Sequence, residues 1–137
     1  MELLYFISYV CMNVDEVSGE ANRQMNVNES ISDDTVSEIM QYLSEHIGEK
    51  ITLEDVMKEF SLNRNKLNEL FIKETSMTCL NYLTKMRVNL AQIMLAETEI
   101  HISEIADRVG FEDPNYFVKV FKKHTGVTPS KYRSSFN

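Results

Sequence analysis

Apolar residues recur at helical spacing in the last third of the chain and predict two short helices joined by a turn. Ile105 and Val109 lie one helical turn apart among polar and charged neighbours, which is typical of a helix with one buried face. Gly110 follows where a helix commonly ends in the left-handed conformation that glycine adopts at little cost. Asp113 then provides an N-cap acceptor, and Pro114 suits the first position of a second helix. The pattern therefore predicts a helix-turn-helix.

The second of these helices has an apolar face and a polar face. Phe117, Val120 and Phe121 repeat at i, i+3 and i+4, so we expect them to be buried. The other side chains are then available to enter a groove of DNA, as in a DNA-binding helix-turn-helix. The candidate DNA contacts on this helix are Asn115, Tyr116, Val118, Lys119, Lys122 and Lys123. Taken alone, the segment also fits a plain helical hairpin with a solvated polar face.

A similar pattern occurs about fifty residues earlier and indicates an internal repeat. Leu53, Val56 and Phe60 form an apolar stripe after Thr52, which suits an N-cap. Asn63 can cap a second helix in this unit. The candidate DNA contacts on that helix are Arg64, Asn65, Asn68 and Glu69. The chain is therefore expected to carry two helix-turn-helix units.

A long helix is predicted between the two units. Thr78 can cap it, and apolar residues continue at mixed steps to Leu95, which suits a helix that packs against both units. About 18 residues would span roughly 27 Å, close to the ~34 Å that separates successive major-groove faces on one side of DNA. We therefore expect this helix to act as a rigid spacer.

A set of residues across both units forms a specific signature. In the second unit it comprises Ile105, Ala106, Gly110, Phe111, Asp113, Tyr116, Phe117, Phe121, Lys122, Lys123, Gly126, Thr128, Pro129, Tyr132 and Arg133. In the first unit and the long helix it comprises Leu53, Leu67, Phe71, Lys73, Glu74, Tyr82, Arg87 and Ala91. With these residues, the chain from about residue 51 to residue 132 resembles the DNA-binding domain of the AraC/XylS family of bacterial transcription regulators.

The resemblance implies an all-α fold of seven helices that binds double-stranded promoter DNA and acts on RNA polymerase. We therefore expect the domain to cover residues 33–137, divided into a first helix-turn-helix unit (33–77), a linker helix (78–96) and a second unit (97–137). Residues 1–32 are expected to be an extension or linker, a remnant of the sensor or dimerisation domain that such regulators commonly carry upstream.

The extension itself contains an apolar run, residues 3–12, followed by a polar stretch. The run is too short to span a bilayer and lacks the basic start and small-residue cleavage site of a signal peptide. We therefore expect no membrane segment. An apolar surface of this kind is costly to leave hydrated, so the run is expected to mediate self-association as a homodimer.

Departures from the family pattern are concentrated in the first unit. Ser61 and Ser76 stand where the family usually has glycine, and Met57 stands where it usually has alanine. If the two serines keep the usual left-handed conformation, each carries a penalty of roughly 1 kcal/mol. Ile72 replaces a common basic residue, and Glu69 can accept a hydrogen bond from cytosine N4 but would repel a nearby phosphate. The first unit is therefore expected to be the looser one.

The net charge of −7 is unusual for a DNA-binding protein, whose affinity comes largely from lysine and arginine. However, residues 1–32 contain five acidic residues and one basic residue, whereas residues 114–137 contain five basic residues and no acidic one. The distribution favours a basic DNA contact near the C-terminus. The alternative is an acidic helical interaction module, derived from such a regulator, that binds another regulator or RNA polymerase instead of DNA.

Enzymatic chemistry has little support in the sequence. Cys11 and Cys79 have no metal-ligand or CxxC spacing, and His46, His101 and His124 stand singly. No phosphate-binding glycine loop or nucleophile motif is present. We therefore predict a cytoplasmic transcription regulator with no catalytic residue, cofactor or metal site.

Overall fold

The computed structural model describes residues 27–136, with side chains from Asp34 to Phe136. Within this range all regular structure is helical, in seven α-helices, which confirms the predicted all-α fold. The α-helices are α1 (Val27–Glu45), α2 (Leu53–Glu59), α3 (Arg64–Thr75), α4 (Cys79–Glu97), α5 (Ile102–Arg108), α6 (Pro114–Thr125) and α7 (Pro129–Ser134), and a 3-10 turn (Ile47–Glu49) follows α1.

Side-chain caps define where the helices begin, and the predicted ones are present. The Thr52 hydroxyl accepts a hydrogen bond from the Asp55 amide, and the Asp55 carboxylate accepts one from the Thr52 amide. Asn63 and Thr78 accept bonds from amides in the first turns of α3 and α4. The carboxylate of Asp113 does the same for α6, which starts with proline.

The two helix-turn-helix units repeat each other closely. Helices α2 and α5, the first of each unit, have 7 residues each, and the second helices, α3 and α6, have 12 each. The C-terminal ends repeat as well, because the hydroxyls of Thr75 and Thr125 each donate to the carbonyl four residues earlier. Corresponding positions in α3 and α6 lie about fifty residues apart, which gives a residue-by-residue comparison of the two units.

Helix α4 joins two hydrophobic cores. Cys79 and Leu83, near its start, belong to the core of the first unit. Val88, Leu90, Ala91, Met94 and Leu95 belong to the core of the second unit, and Met86 packs against both cores. Met57 is accommodated half-buried against the first core. The prediction that the long helix packs against both units is therefore confirmed.

Helix α1 begins before the expected start of the domain. It begins at Val27, before the expected domain start at Asp33, so the last part of the predicted linker is helical. The serines, asparagines and acidic residues of this stretch indicated a linker, but the same residue types are favourable at the start of a helix. The apolar run at residues 3–12 and the rest of the predicted extension to residue 26 lie outside the described residues.

The turns contain the strained serines that the family comparison predicted. Ser61 follows α2 with φ 54°, and Ser76 ends α3 with φ 63°. The corresponding residues of the second unit are glycines, Gly110 and Gly126, with φ 101° and 85°. Each serine therefore holds a left-handed backbone conformation that glycine would adopt at lower cost.

We expect Ser76→Gly to stabilise the domain by about 0.5–1 kcal/mol, because relief of the left-handed strain exceeds the extra entropy of the unfolded chain. Ser61→Gly should act in the same direction. Urea unfolding followed by circular dichroism measures both changes. Ser37→Gly, at an exposed position in the interior of α1, is the matched control and should destabilise by about 0.5–1 kcal/mol. A loss of stability for Ser61→Gly and Ser76→Gly as well would show that these turns store no strain.

Candidate nucleic-acid interface

Helix α6 presents a basic surface that its own packing fixes in place. Phe117 and Phe121 are fully buried in the second core, and Val120 is buried beside them. Lys119, Lys122 and Lys123 are exposed, as predicted from the helical spacing. Within the described part of the chain, none of these three lysines forms an ion pair. Their charges are therefore available to an external anion.

The start of α6 carries the other predicted contacts. Asn115 and Tyr116 are exposed, and Tyr116 keeps 59% of its surface accessible even though its ring lies near that of Phe111. Val118 differs from the prediction, because it is half-buried and packs against the second core. It lies three residues before Phe121, at the edge of the buried stripe, where a β-branched side chain closes over the core.

Helix α3 presents a surface of mixed charge. Arg64, Asn65 and Glu69 are exposed, as predicted. However, Arg64 Nη2 lies 3.2 Å from Glu54 Oε1 in α2, and Lys66 Nζ lies 3.9 Å from Glu69 Oε1. Both cations are therefore partly neutralised within the first unit, although such exposed pairs are weak.

Asn68 is half-buried, unlike the fully outward position that the spacing predicts. Its Oδ1 atom is buried and has no hydrogen-bond partner among the described residues. Asn68 corresponds to Val118 in the second unit, so both positions lie at the edge of the buried face. Helical spacing alone does not predict the exposure of such edge positions, because the neighbouring helices determine the width of the buried stripe.

Helices α3 and α6 differ in charge at two corresponding positions. Glu69 stands where the second unit has Lys119, and Ile72 stands where it has Lys122. Ile72 is an exposed apolar side chain, with 51% of its surface accessible. The repeat also shows a residue that the sequence reasoning left out: Lys66 is exposed and corresponds to Tyr116, a predicted contact. The fifty-residue register between the units was the signal that could have found it.

Three acidic side chains lie near Tyr42 of α1. Burial, together with the nearby carboxylates of Glu59, Asp55 and Glu49, raises the pKa of Tyr42. In contrast, α6 and α7 carry lysine and arginine without an acidic residue. The negative net charge is compatible with a positive local field at α6.

The described residues offer little for other chemistry. No group of histidine, cysteine and acidic side chains among them could hold a metal ion. Cys79 is buried in the first core, and this burial raises the pKa of its thiol to about 12, so it is a packing residue rather than a nucleophile. No helix in the described range is both long and apolar enough to cross a membrane.

The fold and the exposed faces together define a double helix-turn-helix domain, and the comparisons with known proteins agree. A family model described as a helix-turn-helix domain matches residues 56–135. The chain is 32% identical over 116 residues to the arabinose operon regulatory protein of Escherichia coli, covering 82% of this chain and 40% of that protein. It is 36% identical over 103 residues to the transcriptional activator RhaR of Cronobacter sakazakii, covering 75% of this chain and 36% of RhaR.

Solved structures show the same fold. The C-terminal domain of AraT, a response regulator from Geobacillus stearothermophilus, matches with a TM-score of 0.71 and 34% identity, covering 74% of this chain and 84% of that one. The DNA-binding domain of AdpA, solved in complex with a target DNA, matches with a TM-score of 0.70 and 25% identity, covering 74% of this chain and 92% of that one.

The chain therefore belongs to the AraC/XylS family of helix-turn-helix, DNA-binding transcription regulators. It spans 36–40% of the length of the two curated relatives described above.

Proposed function

We propose that this chain binds promoter DNA sequence-specifically, with its two recognition helices in successive major-groove segments. The observation that carries the proposal is the exposed face of α6, where Lys119, Lys122 and Lys123 have no ion-pair partner among the described residues. The AdpA domain, which shares the fold, was solved with its target DNA. On this proposal the chain is a non-enzymatic regulator that acts in the bacterial cytoplasm, where the promoter is.

The residues of α6 would divide the work of binding. Asn115 and Lys119 have groups that suit base edges, since an amide pairs with adenine and an ammonium group with guanine. Lys122 and Lys123, further along the helix, suit phosphates, which fix position without specifying sequence. In the first unit, Glu69 can accept a hydrogen bond from cytosine N4, and the partial pairing of Arg64 leaves α3 with a weaker phosphate contact.

Single substitutions in α6 test which of its side chains contact bases and which contact phosphates. Lys122→Ala should weaken binding to all DNA sequences by a similar factor and reduce the salt dependence by about one ion. Asn115→Ala and Lys119→Ala should each change the preference among bases, by about 1–3 kcal/mol at the affected position. A binding site is first selected from random duplexes with the parent chain. Fluorescence anisotropy with single-base variants of that site then measures both effects. If all three variants bind and discriminate as the parent does, α6 is not the recognition helix.

Two partners extend the proposal. The first is RNA polymerase, on which a promoter-bound regulator of this family would act. The second is another copy of this chain, joined through the apolar run at residues 3–12. An acidic protein-binding module remains the alternative function, and the observation that favours it is the concentration of carboxylates around Tyr42. Such a module would bind its protein partner and show no affinity for DNA.

Deleting residues 1–26, which leaves α1 whole, should give a folded monomer that still binds DNA. Every proposed DNA contact lies downstream of the deletion, and the removed segment is acidic, so non-specific affinity should if anything increase. Sedimentation velocity and circular dichroism of both forms make the measurement. An unchanged association state would rule out the apolar run as the dimer contact, and a loss of helical folding would place it in the core.

A further inference from the structure

The segment between α1 and α2 lies against the turn of the second helix-turn-helix unit. Ile47, which precedes α2 in the chain, is buried in the second core and not in the first. The Lys50 ammonium nitrogen lies 2.7 Å from Asp107 Oδ1 in α5. Residues 47–51 are named the inter-unit segment. Their side-chain contacts join the first unit to the second, in addition to the covalent connection through α4.

Two glycines allow this close approach, one on each side. A Cβ atom at Gly48 would lie 2.9 Å from the Arg108 carbonyl oxygen. A Cβ atom at Gly110 would overlap the Ile47 carbonyl oxygen and lie 2.7 Å from Arg87 Nε. Real side chains do not reach such distances from backbone atoms. The inter-unit segment and the turn of the second unit are therefore in direct backbone contact.

Arg87 of α4 lies between these two parts. Its Nη2 donates a hydrogen bond of 3.3 Å to the Ile51 carbonyl oxygen in the inter-unit segment. Its guanidinium carbon lies 5.9 Å from the centre of the Phe111 ring in the turn of the second unit. One side chain thus contacts both units, with a hydrogen bond on one side and a cation–π contact on the other.

Burying the guanidinium group of Arg87 has a desolvation cost that simple packing would not require. Its Nε atom is buried and has no hydrogen-bond partner among the described residues. Burial also lowers the pKa of its guanidinium group. An apolar side chain of similar size would avoid this cost of desolvation, whereas a buried polar group can specify one arrangement over others. The contacts of Arg87 therefore suit a role in orientation.

We propose that Arg87 is a positioning residue that fixes the orientation of the second unit relative to the first, and thereby the spacing of the two DNA segments that the domain accepts. The inference rests on the proposed function. A base pair inserted between the two segments moves one of them by ~3.4 Å and turns it by about 35°. If Arg87 fixes the two units relative to each other, they cannot move to match this change in the DNA. A variant in which the units are free to reorient can match it.

The first test needs no DNA. Spin labels at Lys73→Cys and Lys123→Cys, at corresponding positions in α3 and α6, report the distance between the recognition helices by double electron–electron resonance. The background is the full chain with Cys11→Ser, because Cys79 is buried with a thiol pKa of about 12 and does not label. Arg87→Met, which keeps most of the volume, should broaden or shift the distance distribution.

Controls separate positioning from loss of folding. Arg108→Met removes an exposed arginine that pairs with Glu104, and should leave the distribution unchanged. Arg87→Lys keeps a donor for the Ile51 carbonyl but loses the planar group over Phe111, so it should fall between the parent and Arg87→Met. Circular dichroism checks that each variant is folded. If Arg87→Met does not fold, the distance distribution of Arg87→Lys tests the proposal instead. A distribution identical to that of the parent in the folded variants would overturn the proposal.

The second test uses DNA. A site selected from random duplexes with the parent chain is remade with one base pair inserted between its two half-sites. The parent should lose at least about tenfold in affinity on insertion, as for a mismatched site, and Arg87→Met should lose clearly less. If the parent binds no DNA, the proposed function fails, and the distance measurement still decides the role of Arg87. An equal loss for parent and variant, or no loss for the parent, would overturn the spacing role.

Discussion

Gly110→Ala is expected to destabilise the domain by about 2–5 kcal/mol, because the new methyl group meets both backbone strain and a steric clash. Gly110 has φ 101°, a conformation that alanine adopts only with strain. Its Cβ atom would overlap the Ile47 carbonyl oxygen and crowd Arg87 Nε at 2.7 Å. A domain of this size has a total stability of about 5–15 kcal/mol, so the loss is a large fraction of the free energy of unfolding.

Gly126→Ala is the matched control for this substitution. Gly126 ends α6 with φ 85°, but no atom lies within 4 Å of the position that a Cβ atom would take. Only the conformational penalty remains there, about 1–2 kcal/mol. Urea unfolding of both variants, followed by far-ultraviolet circular dichroism, measures the difference. Equal losses would mean that the contact between residues 47–51 and the second turn does not exist in solution.

The second large effect is expected from the combined variant Lys119→Gln, Lys122→Gln and Lys123→Gln. If the three exposed lysines lie against DNA, their loss should lower affinity by about two orders of magnitude near 0.1 M salt. The slope of log affinity against log salt should also fall by roughly 1.8, since the two phosphate contacts proposed for Lys122 and Lys123 contribute about 0.9 each. Because the three side chains are exposed and form no ion pair among the described residues, stability should hardly change.

A second variant with the same net charge shows whether the lost affinity comes from the lost contacts of α6 or from the change in net charge. Lys58→Gln, Lys85→Gln and Arg108→Gln together remove the same three positive charges from exposed positions outside α3 and α6. Anisotropy titrations of both variants with one duplex compare them directly. The control should weaken binding much less, because none of its three side chains is a proposed phosphate contact and their loss removes no such contact. Similar losses for both variants would show that α6 has no special part in binding.

The caps and the buried stripes of the helix-turn-helix units were predictable because they depend on neighbours within one or two turns. Thr52, Asn63 and Asp113 cap the helices that their sequence positions indicated. The left-handed conformations of Ser61 and Ser76 followed from the family pattern. Local spacing was sufficient for the caps and the buried stripes, whereas the two serine conformations needed the family pattern.

The features that spacing did not predict depend on contacts between distant parts of the chain. Ile47 enters the second core, and Arg87 bonds to the Ile51 carbonyl, a residue 36 positions away. Neither contact has a periodic signal in the sequence. Asn68 and Val118 lie at the edges of their buried faces, where the adjoining helices determine exposure. The long helix and its caps could be expected, but not the second connection between the units.

The most direct test of DNA binding is the salt dependence of affinity for the full chain. A fluorescent duplex carrying a selected site is titrated by anisotropy at several salt concentrations from about 50 to 200 mM. The proposed function predicts tight binding at low salt and a linear fall in log affinity with log salt, with a slope of about −3 or steeper. No binding at the lowest salt, or an affinity independent of salt, would contradict it and favour the protein-interaction module.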